Sequence, residues 1–192
     1  MLKSGSLNAI KDGTHPLGFM ARMALSYVLW KGYVAITYLI PELNAARNAF
    51  NVWMGKLNVD FLGMVAQAVG EEQVRQEGIV IYLEGTRGLA IEDHCLAIPA
   101  TVIFSLLIVL FPGRLRQKAW FLPVGVLLVQ ASNLFRLTGL MFMQRYSSSA
   151  FYAFNHSYTY VFITYGLIFL LFVGWLRFFS RPGSTPKDCA ET

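Results

Sequence analysis

Three long apolar runs constrain this chain more than any other feature. Leu96 to Phe111 is almost uninterrupted aliphatic and aromatic residues, and Ala119 to Met143 is apolar with Gln130, Asn133 and Arg136 as exceptions. Tyr158 to Phe179 carries no charge until Arg177. Crossing the hydrocarbon core of a bilayer takes about 20 mostly apolar residues, so the runs predict membrane-spanning helices rather than the core helices of a soluble domain. A fourth run, roughly Leu17 to Ile40, is less uniform. Arg22 fits the headgroup level, but Lys31 lies near its middle, where a charge costs about 2.5–3.5 kcal/mol on insertion scales. Lys31 must therefore snorkel, face a cavity or shift the span.

Composition agrees. The chain has 192 residues, of which 55% are hydrophobic and only 14% charged, and the mean hydropathy is +0.48. That is one domain's length and too apolar for an ordinary soluble protein. The net charge of +5 would point to nucleic acid if it formed a patch, but the basic residues flank the apolar runs and read as topology signals. No nucleic-acid partner is expected. Cys95 and Cys189 are far apart in sequence, and a structural disulfide is not expected. The first dozen residues are polar, so no cleavable signal peptide is expected either.

Pro41 should end the first run. After it, Leu43, Ala46, Phe50, Trp53, Leu57, Phe61 and Val65 recur at intervals of three and four, one face of an amphipathic helix. Such a helix can lie at the membrane surface, pack across the spans, or turn this face to an ordinary core. Glu71 to Glu77 reads as a charged break. Ile79 to Leu83 is β-branched and aromatic, Glu84-Gly85-Thr86-Arg87 is a turn candidate, and Leu89 to Ile91 can return, so a short hairpin is expected just before Cys95.

The loops give an orientation. Pro112 to Ala119 holds Arg114, Arg116 and Lys118 without an acid; the C-terminal end holds Arg177, Arg181 and Lys187; the N-terminus holds Lys3 and Lys11. Pro41 to Cys95 has four bases against eight acids, and the 144–156 loop has Arg145 alone. Short basic loops stay in the cytoplasm. The fold class expected is therefore an all-α membrane protein, a bundle of about four transmembrane helices with an amphipathic helix and a short β-hairpin on the outer face. In order: a cytoplasmic leader 1–16, span 17–40, outer segment 41–94, span 95–112, cytoplasmic loop 113–118, span 119–143, outer loop 144–156, span 157–179 and cytoplasmic tail 180–192.

This arrangement sends Cys95, Arg136 and His156 toward one face. Taken singly, Cys95 reads as small apolar filler and His156 as an interfacial residue with a wet edge. Arg136 is harder to dismiss, because an intramembrane ionisable group faces a cavity or a partner, and Asn133 lies on the same helical face. The chemistry that needs all three is acyl transfer by a thiolate. A nearby cation or helix N-terminus lowers a thiol's pKa, a guanidinium stabilises a tetrahedral oxyanion, and a histidine protonates the leaving amine. Release of the acyl group to an amine rather than to water makes such an enzyme a transpeptidase.

A cysteine opening one span, Asn133-Leu134-Phe135-Arg136 late in the next and His156 opening the one after resembles the exosortase and archaeosortase family over about Gly78 to Phe179. Family cysteines are commonly followed by a small residue and glycine; here Leu96-Ala97 follow. Many members have more spans, so this chain would be a compact form. The resemblance implies a membrane-embedded cysteine protease or transpeptidase, with Cys95 as nucleophile, Arg136 as transition-state stabiliser and His156 as acid/base, supported by Asn133. It implies exported proteins with C-terminal tripartite sorting signals as substrates, transfer to a surface acceptor, contact with membrane lipid, and a prokaryotic plasma membrane with the site facing outward.

Other features rank lower. His94 is an alternative base, although neighbours on an α-helix point about 100° apart. Asp93 can orient a histidine or remain solvated. His15 carries no assignment. One cysteine with His94 and His156 lacks the paired spacing of a zinc or iron site, so neither metal nor cofactor is expected. The alternative function is a non-catalytic scaffold or assembly subunit of an export or surface-polysaccharide system, with Arg136 paired to Asp93 or Glu92. A thiol-redox enzyme would want a second cysteine on the same face, and Cys189 is expected on the other.

Overall fold

The computed structural model describes residues 16–179. The leader and tail expectations, including Lys3, Lys11, His15, Arg181, Lys187 and Cys189, lie outside the described residues. The chain is mostly helical. Its helices are α1 (Pro16–Leu39), α2 (Pro41–Ala68), α3 (Ile98–Leu110), α4 (Leu115–Tyr146), α5 (Ser149–Phe154) and α6 (Tyr160–Phe178). Three short strands, β1 (Arg75–Glu77), β2 (Val80–Tyr82) and β3 (Leu89–Ala90), lie between α2 and α3.

Pro41 sets the first corner. A residue before proline is pushed out of the helical region, and Ile40 is extended at φ −110°, ψ 108°. The chain bends by 110° there. Helix α2 then inverts the usual relation between apolar stripe and core. Leu43, Ala46, Phe50, Trp53, Leu57 and Phe61 are exposed, so the stripe does not face a core. The packed face is Asn51, Gly55, Asn58, Val59, Leu62, Gly63 and Ala66. Small residues allow the sheet to approach: a Cβ at Gly55 would stand 2.9 Å from Ile79 Cγ2, and one at Gly63 would overlap the Gln76 side chain.

The sheet is antiparallel in the order β1-β2-β3. β2 and β3 form the expected hairpin, with Val80 opposite Ala90 and Ile81 opposite Leu89. The supposed break at 71–77 contains a further strand, β1, which joins β2 through Gly78-Ile79 with Glu77 opposite Val80. Gly78 has φ +63°, as the first position of a two-residue hairpin turn prefers. Every β1 residue is exposed, so no hydrophobic alternation marks the strand.

Two apolar clusters meet end to end. One joins Val59, Leu62 and Ala66 of α2, Ile81, Leu83, Leu89 and Ile91 of the sheet region, Cys95 and Leu96, and Leu137, Leu140 and Met141 of α4. The other joins Ala97 and the buried face of α3 to Val129 of α4 and Ile168, Phe172 and Trp175 of α6. Helix α1 packs on α3, α3 on α4 and α6, and α4 on α6. Helix α4 belongs to both clusters. Its 32 residues rise about 48 Å, well beyond a hydrocarbon core of about 30 Å. The excess carries Gln144 to the sheet, where Nε2 donates to Gly88 O at 2.9 Å, and brings Arg145 onto Glu71.

Among the described helices, α4 alone is long and apolar enough to cross a bilayer by itself. The bent pair α1–α2 passes only as a unit, and α3 and Phe162–Phe178 are shorter apolar helices. Outward side chains are nonetheless large and apolar, including Leu127 and Phe135 on α4 and Phe162, Phe169, Leu170 and Phe178 on α6. Contiguous exposure of this kind marks a membrane or partner surface. Lys31, the awkward charge of the first run, is exposed, with its ammonium over the Tyr27 ring at 5.7 Å.

Candidate active site

Cys95 lies ahead of α3, in a 3₁₀ turn, Asp93–Cys95. Its N–H donates to Glu92 O at 2.7 Å, and its side chain is fully buried. Two residues later the chain reverses through Ala97, the one non-glycine residue of positive φ among those described, at φ 53°, ψ 19°. This left-handed conformation costs an L-residue about 1–2 kcal/mol. It falls on the second residue after the cysteine, where glycine would carry no Cβ penalty. Pro99 in the first turn of α3 then starts the helix.

Asn133 and Arg136 approach the turn from α4. Asn133 is fully buried and Arg136 is 7% exposed. Asn133 Nδ2 donates to Cys95 O at 2.8 Å, while its Oδ1 accepts from Arg136 Nη1 at 3.3 Å. The three-residue offset places both side chains on one helical face. The guanidinium also reaches the Cys95 thiol by hydrogen bond and charge.

His156 arrives from the third direction, in a π-helical turn, Asn155–Thr159, between α5 and α6. Such turns are rare and frequent at functional sites. The region expected as an outer loop, 144–156, contains the end of α4 and all of α5. Ser148 caps α5 by accepting from Phe151 N at 3.4 Å. The helix carries Tyr152 onto His156, with ring centroids 5.8 Å apart and planes 26° apart. The His94 ring meets His156 edge to face at 6.0 Å. Cys95 Sγ and one nitrogen each of His94 and His156 all lie within 4.8 Å of one another.

The structure thus brings Cys95, Asn133, Arg136 and His156 to one place, at the seam of the two apolar clusters. Sequence reasoning undervalued His94 and missed Tyr152. Neighbours on an α-helix diverge by about 100°, whereas His94 sits with Cys95 in a tighter 3₁₀ turn. Tyr152 stands four residues before His156, a helical interval visible only once Ser148 is recognised as a cap. Asp93 points elsewhere, lining a cavity of about 630 Å³ between α1, α2 and the start of α3, with Tyr33, Arg47, Phe50 and Ile98.

Burial decides the electrostatics. It pushes the Cys95 thiol above its ordinary pKa, an effect that the Arg136 cation and the hydrogen bonds offset only in part. The expected lowering by a helix end and a cation is therefore outweighed. Burial also holds His156 below the usual histidine value, and the positive charge of Arg136 and the neighbouring His94 act in the same direction. Both groups are outside the α3 and α6 helices. Both shifts favour a neutral thiol beside a neutral imidazole near pH 7.

A family model described as transmembrane exosortase matches residues 12–179. No curated protein and no solved structure matches the chain. With the match extending over most of its length, the chain belongs to the transmembrane exosortase family.

Proposed function

We propose that the protein is a cysteine transpeptidase of the exosortase type, which cleaves C-terminal sorting tails from exported proteins and passes the acyl group to an amine acceptor. The observation that carries this reading is the convergence of Cys95, Arg136 and His156 from three separate elements onto one point. In this reading α1, α3, α4 and α6 cross the plasma membrane of a prokaryote. The sheet, α2 and α5 lie on the outer side, and the apolar outward side chains face lipid.

The reaction follows from the protonation states. Neutral His156 takes the thiol proton as Cys95 Sγ attacks the scissile carbonyl. Arg136 donates to the developing oxyanion. The imidazolium then gives its proton to the leaving amine as the C–N bond breaks, leaving a thioester on Cys95. The acceptor amine attacks the thioester, loses a proton to His156 and forms a new amide, and the thiol recovers its proton from the imidazolium. Asn133 is a positioning residue: it fixes the backbone of Cys95 against the guanidinium. The β3 edge of the sheet and the cavity beside Asp93 supply surface for an extended tail.

Mass spectrometry of exported-protein C-termini tests the reading, comparing cells with the native chain and cells with Cys95→Ala at equal expression. Loss of a tail from one set of membrane-tethered proteins only with Cys95 intact is the expected result, and the cleavage motif is read from the same data. Identical profiles with candidate substrates expressed would leave a scaffold.

A further inference from the structure

The clustering of His94 with Cys95 and His156 has a chemistry separate from acyl transfer. One thiol sulfur and two imidazole nitrogens stand within 4.8 Å of one another. Around a tetrahedral zinc ion, with Zn–S near 2.3 Å and Zn–N near 2.0–2.1 Å, such donors are about 3.3–3.6 Å apart. Side-chain rotation of about 1 Å closes the difference. His94 is exposed and adjusts readily, and it leaves the cluster open on its side. The Glu92 carboxylate lies 3.7 Å from His94 Nδ1. A carboxylate beside a metal-binding imidazole can orient the ring by accepting from the nitrogen that does not bind the metal.

We propose that His94, Cys95 and His156 form a binding site for a borderline-soft divalent cation such as Zn²⁺, with water as the fourth ligand. Binding replaces the thiol proton: the cation takes the thiolate sulfur and two imidazole lone pairs, and one proton is released to solvent. No electron is transferred. Three ligands beside the Arg136 cation hold the metal less tightly than a closed four-ligand site would. The bound ion occupies the sulfur and the His156 nitrogen together, so it blocks peptide cleavage. That consequence rests on the function proposed above; the binding does not.

Cobalt(II) reports thiolate ligation directly by a sulfur-to-metal absorption band. The full chain carrying Cys189→Ser, purified in detergent micelles, is titrated with Co²⁺ and then with Zn²⁺. One equivalent of Co²⁺ should produce the thiolate band, Zn²⁺ should displace it, and Cys95→Ser should abolish it. His94→Ala, an exposed change that leaves the fold intact, should weaken Co²⁺ binding about tenfold or more. Absence of the band in the folded Cys189→Ser protein overturns the proposal, as does a band indifferent to both His94→Ala and His156→Ala. A cobalt band in a chain that fails the C-terminal processing test would retain the metal site and remove the transpeptidase.

Discussion

Asn133 and Cys95 are 38 residues apart in the chain and joined by a buried hydrogen bond of 2.8 Å, from the Asn133 amide to the Cys95 carbonyl. The other end of the same amide accepts from Arg136. One side chain therefore sets the distance between the thiol's backbone and the guanidinium.

Asn133→Leu is the sharpest test of that linkage, because it keeps the branched shape and heavy-atom count and removes both hydrogen bonds. Leaving a buried carbonyl without its donor costs about 1–3 kcal/mol. Thermal unfolding of the detergent-solubilised protein should show that loss. Processing in cells should fall by more than the drop in folded protein explains. Arg136→Lys should likewise lose most processing while folding, since an ammonium on a flexible stem does not reproduce the planar, multi-donor guanidinium. Normal processing by either variant at matched protein level would remove the positioning argument.

Ala97 offers the opposite kind of test. Its left-handed backbone is a conformation that glycine adopts freely and β-branched residues resist. Ala97→Gly should raise the stability of the folded protein by up to about 1 kcal/mol, the relieved strain less the added freedom of the unfolded chain. Ala97→Val should destabilise it, the more so because the side chain is fully buried. Equal melting temperatures for the two variants would show that the turn tolerates any residue.

Much of this site was legible in the sequence because apolar runs make polar exceptions conspicuous. Asn133 and Arg136 interrupt α4, and the three-residue interval already placed them together. The rest failed for identifiable reasons. Close approach of the sheet to α2 needs small residues, so Gly55 and Gly63 mark the packed side of that helix, and the periodicity of Phe50, Trp53, Leu57 and Phe61 marks the exposed one. Strand β1 has three polar, exposed residues, leaving only the glycine turn after it as a signal. The state of Cys95 depends on how deeply it is buried, a tertiary quantity that a cysteine near a predicted helix start does not disclose.

That burial predicts the pH dependence. With the thiol pKa raised, Cys95 in a Cys189→Ser background should react slowly with iodoacetamide at pH 7. The reaction should accelerate only above the ordinary thiol range, about pH 8.5. A rate already at its plateau at pH 6 would identify a preformed thiolate and reverse the assignment of the resting state. Stability follows the same shifts. His156 has a depressed pKa in the fold, so below about pH 6.5 the unfolded chain binds more protons and the contribution of the neutral imidazole is lost as pH falls. Cys95 has a raised pKa, so above about pH 8.5 the unfolded chain ionises first and stability is lost as pH rises. The melting temperature should be highest between these limits.

Orientation is tested with single cysteines in a Cys189→Ser background. Ser147 follows the C-terminal end of α4, and Arg116 lies in its first turn; both are exposed. The four-span arrangement puts them on opposite sides of the membrane, with the site on the side of Ser147. Ser147→Cys should react with a membrane-impermeant maleimide in intact cells, and Arg116→Cys should react only after permeabilisation, while fully buried Cys95 gives a low background in both. The two positions are the ends of one helix about 48 Å long, so equal labelling from outside would mean that α4 does not cross the bilayer. The reverse pattern would place Cys95, Arg136 and His156 on the cytoplasmic side, where exported proteins present no surface acceptor, and would exclude the sorting reaction whatever the chemistry of the thiol.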